Sequence, residues 1–270
     1  MNDVVSPASA ISVALKRMEP SFTSAERRIA RVLAAGFPAS GLVTVAELGR
    51  KSGASSATIS RFVAKLGFRS YQDFQESLRS EVRDRLESPQ ARFPGAQAPA
   101  DIADYAAWAA TLMSEVGGAV NASEFEATVE LLADPRRRVN LLGGRFSHSL
   151  AQLFAFGLRG LRKDVRVLSE TPQMLVDAAL ELGRRDVIVL FDFRRYQENI
   201  VRFAEVVAET DATLVVFTDR WMSPASLNAR YVFSLPVASP SIYDSALAPL
   251  MCVEAVVASL ARRLGQTAEK

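Results

Sequence analysis

The sequence predicts an α/β protein in two parts: a small all-α unit, then a three-layer α/β/α domain on a five-stranded parallel sheet. Three observations carry that prediction. Thr44–Phe68, TVAELGRKSGASSATISRFVAKLGF, reads as two short helices joined by a glycine turn. Ser88–Ala100, SPQARFPGAQAPA, is rich in proline and small residues and reads as a linker. From Arg138 onward, short valine- and leucine-rich runs alternate with helical patterns, as strands joined by helical crossovers do. The expected boundaries are 1–87, 88–100 and 101–270, and 270 residues at 49% hydrophobic content can bury two cores.

The elements of the first part follow in order. Ser24–Ala35 puts Ile29, Val32 and Leu33 on one stripe, with Phe22 placed to staple its start. Val45–Lys51 buries Val45 and Leu48; Thr44 suits its N-cap, and Glu47 three residues later completes a capping box. Gly53 stands where the chain turns sharply, because glycine accepts positive φ without steric cost. Ser55 or Ser56 caps the second helix, whose apolar side is Ile59, Phe62, Val63 and Leu66. Gly49 is expected at a close helix crossing. Tyr71–Leu86 covers the pair with Tyr71, Phe74, Leu78 and Val82.

The opposite side of that second helix carries small hydroxyls and bases. A recognition helix offers its N-terminal residues to base edges in the major groove, while neighbouring groups hold phosphates. Ser55, Ser56, Ala57, Ser60 and Arg61 are therefore the candidate base-edge contacts. Arg61 can fork two donors onto a guanine, worth ~1–3 kcal/mol of discrimination. Arg50, Lys51, Lys65 and Arg69 are the candidate phosphate contacts. The bland alternative is the solvated face of a small helical bundle. Turn glycine, apolar spacing and basic face agree on double-stranded DNA. The chain's net charge is only +2, but its basic excess lies in the first 90 residues.

In the second part, Ile102–Val116 and Ser123–Ala133 read as helices, the latter with Ser123 and Glu126 as a capping box. Strands are expected at Val139–Leu142, Val165–Leu168, Val187–Phe191, Leu214–Phe217 and Tyr231–Leu235. Helices are expected near Ser147–Arg159, Pro172–Leu182, Gln197–Glu209 and Tyr243–Leu264, with a short one near Pro224–Asn228. Ligands in such folds gather beyond the carboxyl ends of the strands. That directs attention to Gly143–His148, Ser169–Gln173, Asp192–Gln197 and Thr218–Ser223.

Several classes are disfavoured. Cys252 is the sole cysteine, so no internal disulfide forms, which fits a reducing, cytoplasmic setting. The opening MNDVVSPASAISVALKRM lacks the pattern of a signal peptide, and no run of about 18 apolar residues suits a membrane. His148, the single histidine, is flanked by Ser147 and Ser149, which is not triad geometry. One histidine and one cysteine do not build a zinc site. Gly143-Gly144-Arg145 lacks the later glycines of a dinucleotide fingerprint. No catalytic residue, metal or cofactor is expected.

The first part resembles the helix-turn-helix domain of RpiR-type transcriptional regulators. The resemblance is carried by Thr23–Ala30 (TSAERRIA), Val45–Leu48 (VAEL), Ser60–Phe68 (SRFVAKLGF) and Tyr71–Phe74 (YQDF). The second part is similar to the sugar isomerase (SIS) domain that accompanies it in that family. The resemblance implies a phosphosugar pocket built from a glycine-containing loop after the first strand and a Ser-x-Ser-Gly-x-Thr loop after a later one. Gly143 and Ser147 match the first loop, but Arg145 stands where a second glycine is expected. In the second loop Asp192 and Arg194 replace the serines, Arg195 the glycine and Gln197 the threonine.

The candidate effector residues are thus Gly143, Arg145, Ser147, His148, Asp192, Arg194, Arg195 and Gln197. Three arginines offer forked donors to an acidic effector, with Ser147 assisting. The alternative is that Asp192 pairs with an arginine and the pocket has closed. The expected function is a DNA-binding regulator reading a pseudo-palindromic operator as a homodimer or homotetramer and sensing a small anionic metabolite. A sugar-phosphate isomerase and a ligand-independent dimeric DNA-binding protein are the alternatives.

Overall fold

Helix ends and apolar stripes together explain the first unit. The computed structural model describes residues 11, 15, 18, 21–35, 39–86, 99 and 101–268. The chain divides into two compact units, one of Met1–Glu87 with Arg220–Pro224 and one of Ser88–Asp219 with Ala225–Lys270. The first contains α1 (Ser24–Ala35), α2 (Val45–Ser52), α3 (Ser56–Lys65) and α4 (Tyr71–Leu86). A reciprocal capping box starts α1: Thr23 N–H donates to the Glu26 carboxylate at 2.7 Å, and Glu26 N–H donates to Thr23 Oγ1 at 3.3 Å. Thr44 caps α2 by accepting from Glu47 N–H at 3.2 Å, while the Glu47 carboxylate turns to Lys51. Of the two candidates, Ser55 caps α3, accepting from Thr58 N–H at 3.2 Å.

Between α2 and α3, Gly53 adopts φ 63°, the left-handed conformation that the turn needs. A side chain on Gly49 would meet the Ala54 carbonyl at 2.8 Å and Ile59 Cδ1 at 3.6 Å. The close approach there is to the turn as much as to α3. Ile29, Leu33, Leu48, Ile59, Phe62, Phe74 and Leu78 fill the core, and the Phe22 ring packs 5.2 Å from Phe62. Expected stripe position Val82 lies outside the described side chains, and of the expected linker 88–100 only Pro99 is described.

The second unit opens with α5 (Ile102–Ala119) and α6 (Ala122–Ala133). The expected capping box at Ser123 is absent from the start of α6. Asn121 is the N-cap, its side chain accepting from Ser123 and Glu124 N–H, two residues before the expected cap. Then come β1 (Arg138–Gly143), α7 (His148–Arg159), β2 (Val165–Val167), α8 (Pro172–Leu180), β3 (Asp186–Phe191), α9 (Glu198–Ala208), β4 (Thr213–Asp219), β5 (Tyr231–Leu235) and α10 (Leu247–Ala268). Pro224–Asn228 is a 3₁₀ turn.

The last helix begins four residues later than expected. Ser239, Ser241 and Ser245 hydroxyls accept from Ser241, Tyr243 and Leu247 N–H, and these local turns compete with helix before residue 247.

The sheet order is β2-β1-β3-β4-β5, all parallel. Alternation sorts its side chains onto two faces. Val139, Leu141, Val187, Val189, Phe191, Val215 and Phe217 join one core with α7 and α10 residues. Leu142, Ile188, Leu190, Leu214 and Val216 join another with Leu175 of α8 and with Ile200, Phe203 and Val207 of α9.

Across β3, β4 and β5, Phe191, Phe217 and Phe233 lie in register and stack at 4.8 and 4.5 Å. Phe154 of α7 meets two of them edge-on. Each such pair adds roughly 0.5–1.5 kcal/mol beyond burial. This ladder is a rigid floor beneath the loops that follow β1 and β3.

Candidate functional site

Two residue sets carry the candidate chemistry, one on α3 and one on the loops above the phenylalanine ladder. On the first, α1 braces α3 at both ends. Arg28 Nε donates to the Ser52 carbonyl at 3.1 Å and Nη2 to the Gly53 carbonyl at 3.4 Å, clamping the turn. At the far end, Lys65 Nζ donates to the Ser21 carbonyl at 2.7 Å and to Glu26 at 3.0 Å, 5.5 Å from the Phe22 ring centre. Burial pushes the Glu26 carboxyl up. The Thr23 N–H and the Lys65 ammonium outweigh burial and hold it below its ordinary value.

Lys65, expected as a phosphate contact, already has partners within the chain. Its ammonium straps α3 to the start of α1. With both ends fixed, α3 exposes Ser56, Ala57, Ser60 and Arg61. Ser60 Oγ donates to the Ser56 carbonyl at 3.0 Å, which leaves its lone pairs as the outward function. Ser55 is first a cap, and its hydroxyl also lies 2.9 Å from that of Thr58. Arg50, Arg61 and Arg69 are exposed, and their side chains carry no hydrogen bond or ion pair among the described residues. Lys51 is shared with Glu47 at 2.9 Å. Arg28 carried no signal in the sequence beyond its place in the resemblance, because its partners are carbonyls 24 and 25 residues away.

In the second set, the turn after β1 is drawn tight. A side chain on Gly143 would collide with the Ser147 carbonyl group and meet His148 N at 2.7 Å. Gly143 is thus needed for the shape of the loop. Gly144 faces the Gln197 side chain, whose amide oxygen accepts from Arg145 N–H and occupies the space a Gly144 Cβ would need. Gln197 consequently latches the two loops together across 52 residues of sequence.

Ser147 donates its hydroxyl to the Phe191 carbonyl at 2.7 Å. It ties the loop after β1 to the end of β3, so in this arrangement its hydroxyl proton is already engaged. His148 is the first residue of α7, and its Nδ1 is buried without a partner, as is Glu170 Oε2 in the loop after β2.

The loop after β3 is held by a carboxylate. Asp219 at the end of β4 accepts from Arg194 N–H, and its other oxygen accepts from Tyr196 Oη at 2.7 Å. Asp192 is buried, 2% exposed. Arg195 takes φ +65°, a conformation that favours glycine, and glycine is what the SIS pattern has there.

Arg194, expected in the effector set, is already paired within the chain. Its side chain is buried, 7% exposed, and forks onto Asp244, with Nε donating to Oδ2 at 2.7 Å and Nη2 to Oδ1. Asp219 lies in the loop Thr218–Ser223 that the sequence singled out, but Asp244 did not stand out. Arg145 and Arg195 remain exposed, 5.5 and 5.8 Å from the centre of the Phe146 ring. Phe146 is itself 67% exposed and lies 6.4 Å from the Tyr243 ring. No group of His, Cys, Asp and Glu suited to a metal occurs among the described residues. Cys252 is buried, its thiol pushed up to about 12 by burial, so it packs as an inert apolar residue.

Residues 10–85 match the helix-turn-helix domain of the rpiR family, and residues 131–259 match the SIS domain. The chain belongs to the RpiR family. Solved structures share the fold of this RpiR-family chain. The sugar isomerase domain of an RpiR transcription factor from Sphaerobacter thermophilus is 21% identical, with TM-score 0.57, covering 61% of this chain and 91% of that one. The Vibrio vulnificus NanR protein complexed with ManNAc-6P is 19% identical, with TM-score 0.54, covering 96% of both chains. An Escherichia coli protein, solved as a ligand complex, is 18% identical, with TM-score 0.50, covering 58% of this chain and 86% of that one. No curated protein matches. Among the described residues, no helix is long and apolar enough to cross a membrane.

Proposed function

We propose that this RpiR-family chain is a cytoplasmic transcription regulator without enzymatic activity. Residues 1–87 read a pseudo-palindromic operator, 88–100 link, and 101–270 sense a small anionic metabolite and join copies into a dimer or tetramer. The observation that carries the reading is the outward face of α3, with Ser56, Ala57, Ser60 and Arg61 exposed while both helix ends are braced from α1. Ser55 supports base contact from the cap. Arg50, Lys51 and Arg69 supply phosphate contacts, and two-fold partners would place half-sites ~34–36 Å apart.

On the sensing side, the similarity to NanR in complex with ManNAc-6P supports an anionic sugar derivative. Arg145, Arg195, His148 and Gln197 line the strand-end loops that would meet it, with Asp192 and Arg194 beneath. Gel shift on the chain's own upstream DNA tests the reader. Specific binding is expected, and failure to bind any upstream or genomic fragment refutes the regulator.

A sugar-phosphate isomerase is the second reading, favoured by the buried and unpartnered His148 Nδ1 and Glu170 Oε2, which could serve as acid and base. Turnover of sugar phosphates by the purified chain would establish that reading, and none is expected.

A further inference from the structure

The pair at the heart of the second unit is chemically a bound ligand. Arg194 Nε and Nη2 each meet one oxygen of Asp244, the parallel fork by which a guanidinium takes any carboxylate or phosphate. The arginine is aimed before anything binds. Its main-chain N–H is anchored on Asp219, and Tyr196 Oη secures the other oxygen of the same carboxylate. Asp244 is the more exposed partner. It lies in the segment between β5 and α10, which has no helix or strand of its own and is pinned by serine turns. Its side chain is 24% exposed against 7% for Arg194.

We infer that Asp244 is a tethered occupant of an oxyanion site, and that the ligand displaces it from Arg194. The inference rests on the sensor reading above. The ligand class follows from competition. A carboxylate on the same chain acts at an effective concentration of order mM, so a free monocarboxylate that offers only the same fork gains nothing by replacing it. A winning ligand brings more charge or more contacts. Arg145 and Arg195, exposed on the adjoining loops, supply the additional cations. The site therefore selects a dianionic head, such as a phosphate monoester, over a simple carboxylic acid.

Displacement has a mechanical consequence. Ser245, the next residue, accepts from Leu247 N–H at 3.2 Å and so shapes the start of α10. A ligand that frees Asp244 frees the first turn of the helix that packs on α5, α6 and α7. Differential contact with two arrangements of one segment is what a switch requires.

Isothermal titration of the full chain with inorganic phosphate, with acetate and with neutral xylitol tests this. The Asp244→Asn, Arg194→Gln and double variants are titrated alongside. Asp244→Asn should bind phosphate about tenfold more tightly than the wild type, because the built-in competitor is gone. It should also gain acetate binding that the wild type lacks. Arg194→Gln should lose phosphate, and the double variant should lack the gain. Xylitol should bind none of them.

Equal phosphate affinity in wild type and Asp244→Asn, both weakened by Arg194→Gln, overturns the tethered occupant and leaves the sensor reading intact. Phosphate binding by none of the four overturns both. If Asp244→Asn does not fold, the Arg194 Nε–H resonance of the wild type decides. Its shift on adding phosphate supports exchange, and a fixed resonance refutes it.

Discussion

Arginines crowd both the surroundings of α3 and the loops after β1 and β3, but the polar contacts that organise them differ. Around α3 the bracing comes mostly from residues off the reading face: Arg28 on the turn, Glu26 on Lys65 and Thr44 at the start of α2, with Ser55 both cap and candidate contact. Arg50, Arg61 and Arg69 stay exposed. In the loops, candidate contact groups brace one another. Ser147 holds Phe191, Gln197 holds Arg145, and Asp244 holds Arg194. Geometry accounts for the contrast. DNA is met from outside, so its contacts remain in water. A small ligand is enclosed, and most buried donors and acceptors around it find partners when it is absent, His148 Nδ1 and Glu170 Oε2 being exceptions here.

The largest expected effect breaks the loop side alone. Gly143→Ala forces a side chain into the Ser147 carbonyl group and should cost ~3 kcal/mol of second-unit stability, as overpacking against backbone does. Urea melting checks it, and an unshifted midpoint would mean that the turn is looser than described. Next, Arg61→Ala should weaken operator binding by ~1–3 kcal/mol in gel shifts while sparing non-specific DNA. Equal losses on both would make Arg61 a phosphate contact.

The contrast between exposed and strapped bases sharpens with salt. Arg50→Ala should lower the slope of log affinity against log salt by about one. Lys65→Gln should leave the slope unchanged and lower the melting temperature slightly, in keeping with ~0.2–1 kcal/mol for such a pair. A reduced slope for Lys65→Gln would return it to the phosphate contacts.

The smallest effect is on pH. The folded Glu26 carboxyl lies below its ordinary 4.5, so its stabilisation is complete above that value and fades as pH falls through the lowered folded value. Acid titration of first-unit melting should show this loss, and Lys65→Gln should flatten it.

The helices of the first unit were readable because each signal is local. Thr44, Gly53, Ser55 and the stripe Ile59, Phe62, Val63, Leu66 all act within a turn or two. The strands were readable for the same reason, since Val187–Phe191 and Leu214–Phe217 are apolar throughout. Misjudged positions had two locally plausible outcomes. Asn121 and Ser123 both suit a cap, and Tyr243–Ala246 could continue a helix until its serines formed turns. Lys65 looked like its exposed neighbours because nothing nearby in sequence reveals Glu26, 39 residues away.

By itself the sequence determined the element order, the parallel α/β pattern and the chemistry offered on α3. Those properties rest on short-range spacing, cap chemistry and composition. Tertiary structure alone decided which polar groups remain available. Arg194 is paired with Asp244, 50 residues on, and Arg145 N–H with Gln197, 52 residues on. A parallel sheet brings distant strand ends side by side, and a buried charge takes whichever partner the fold delivers.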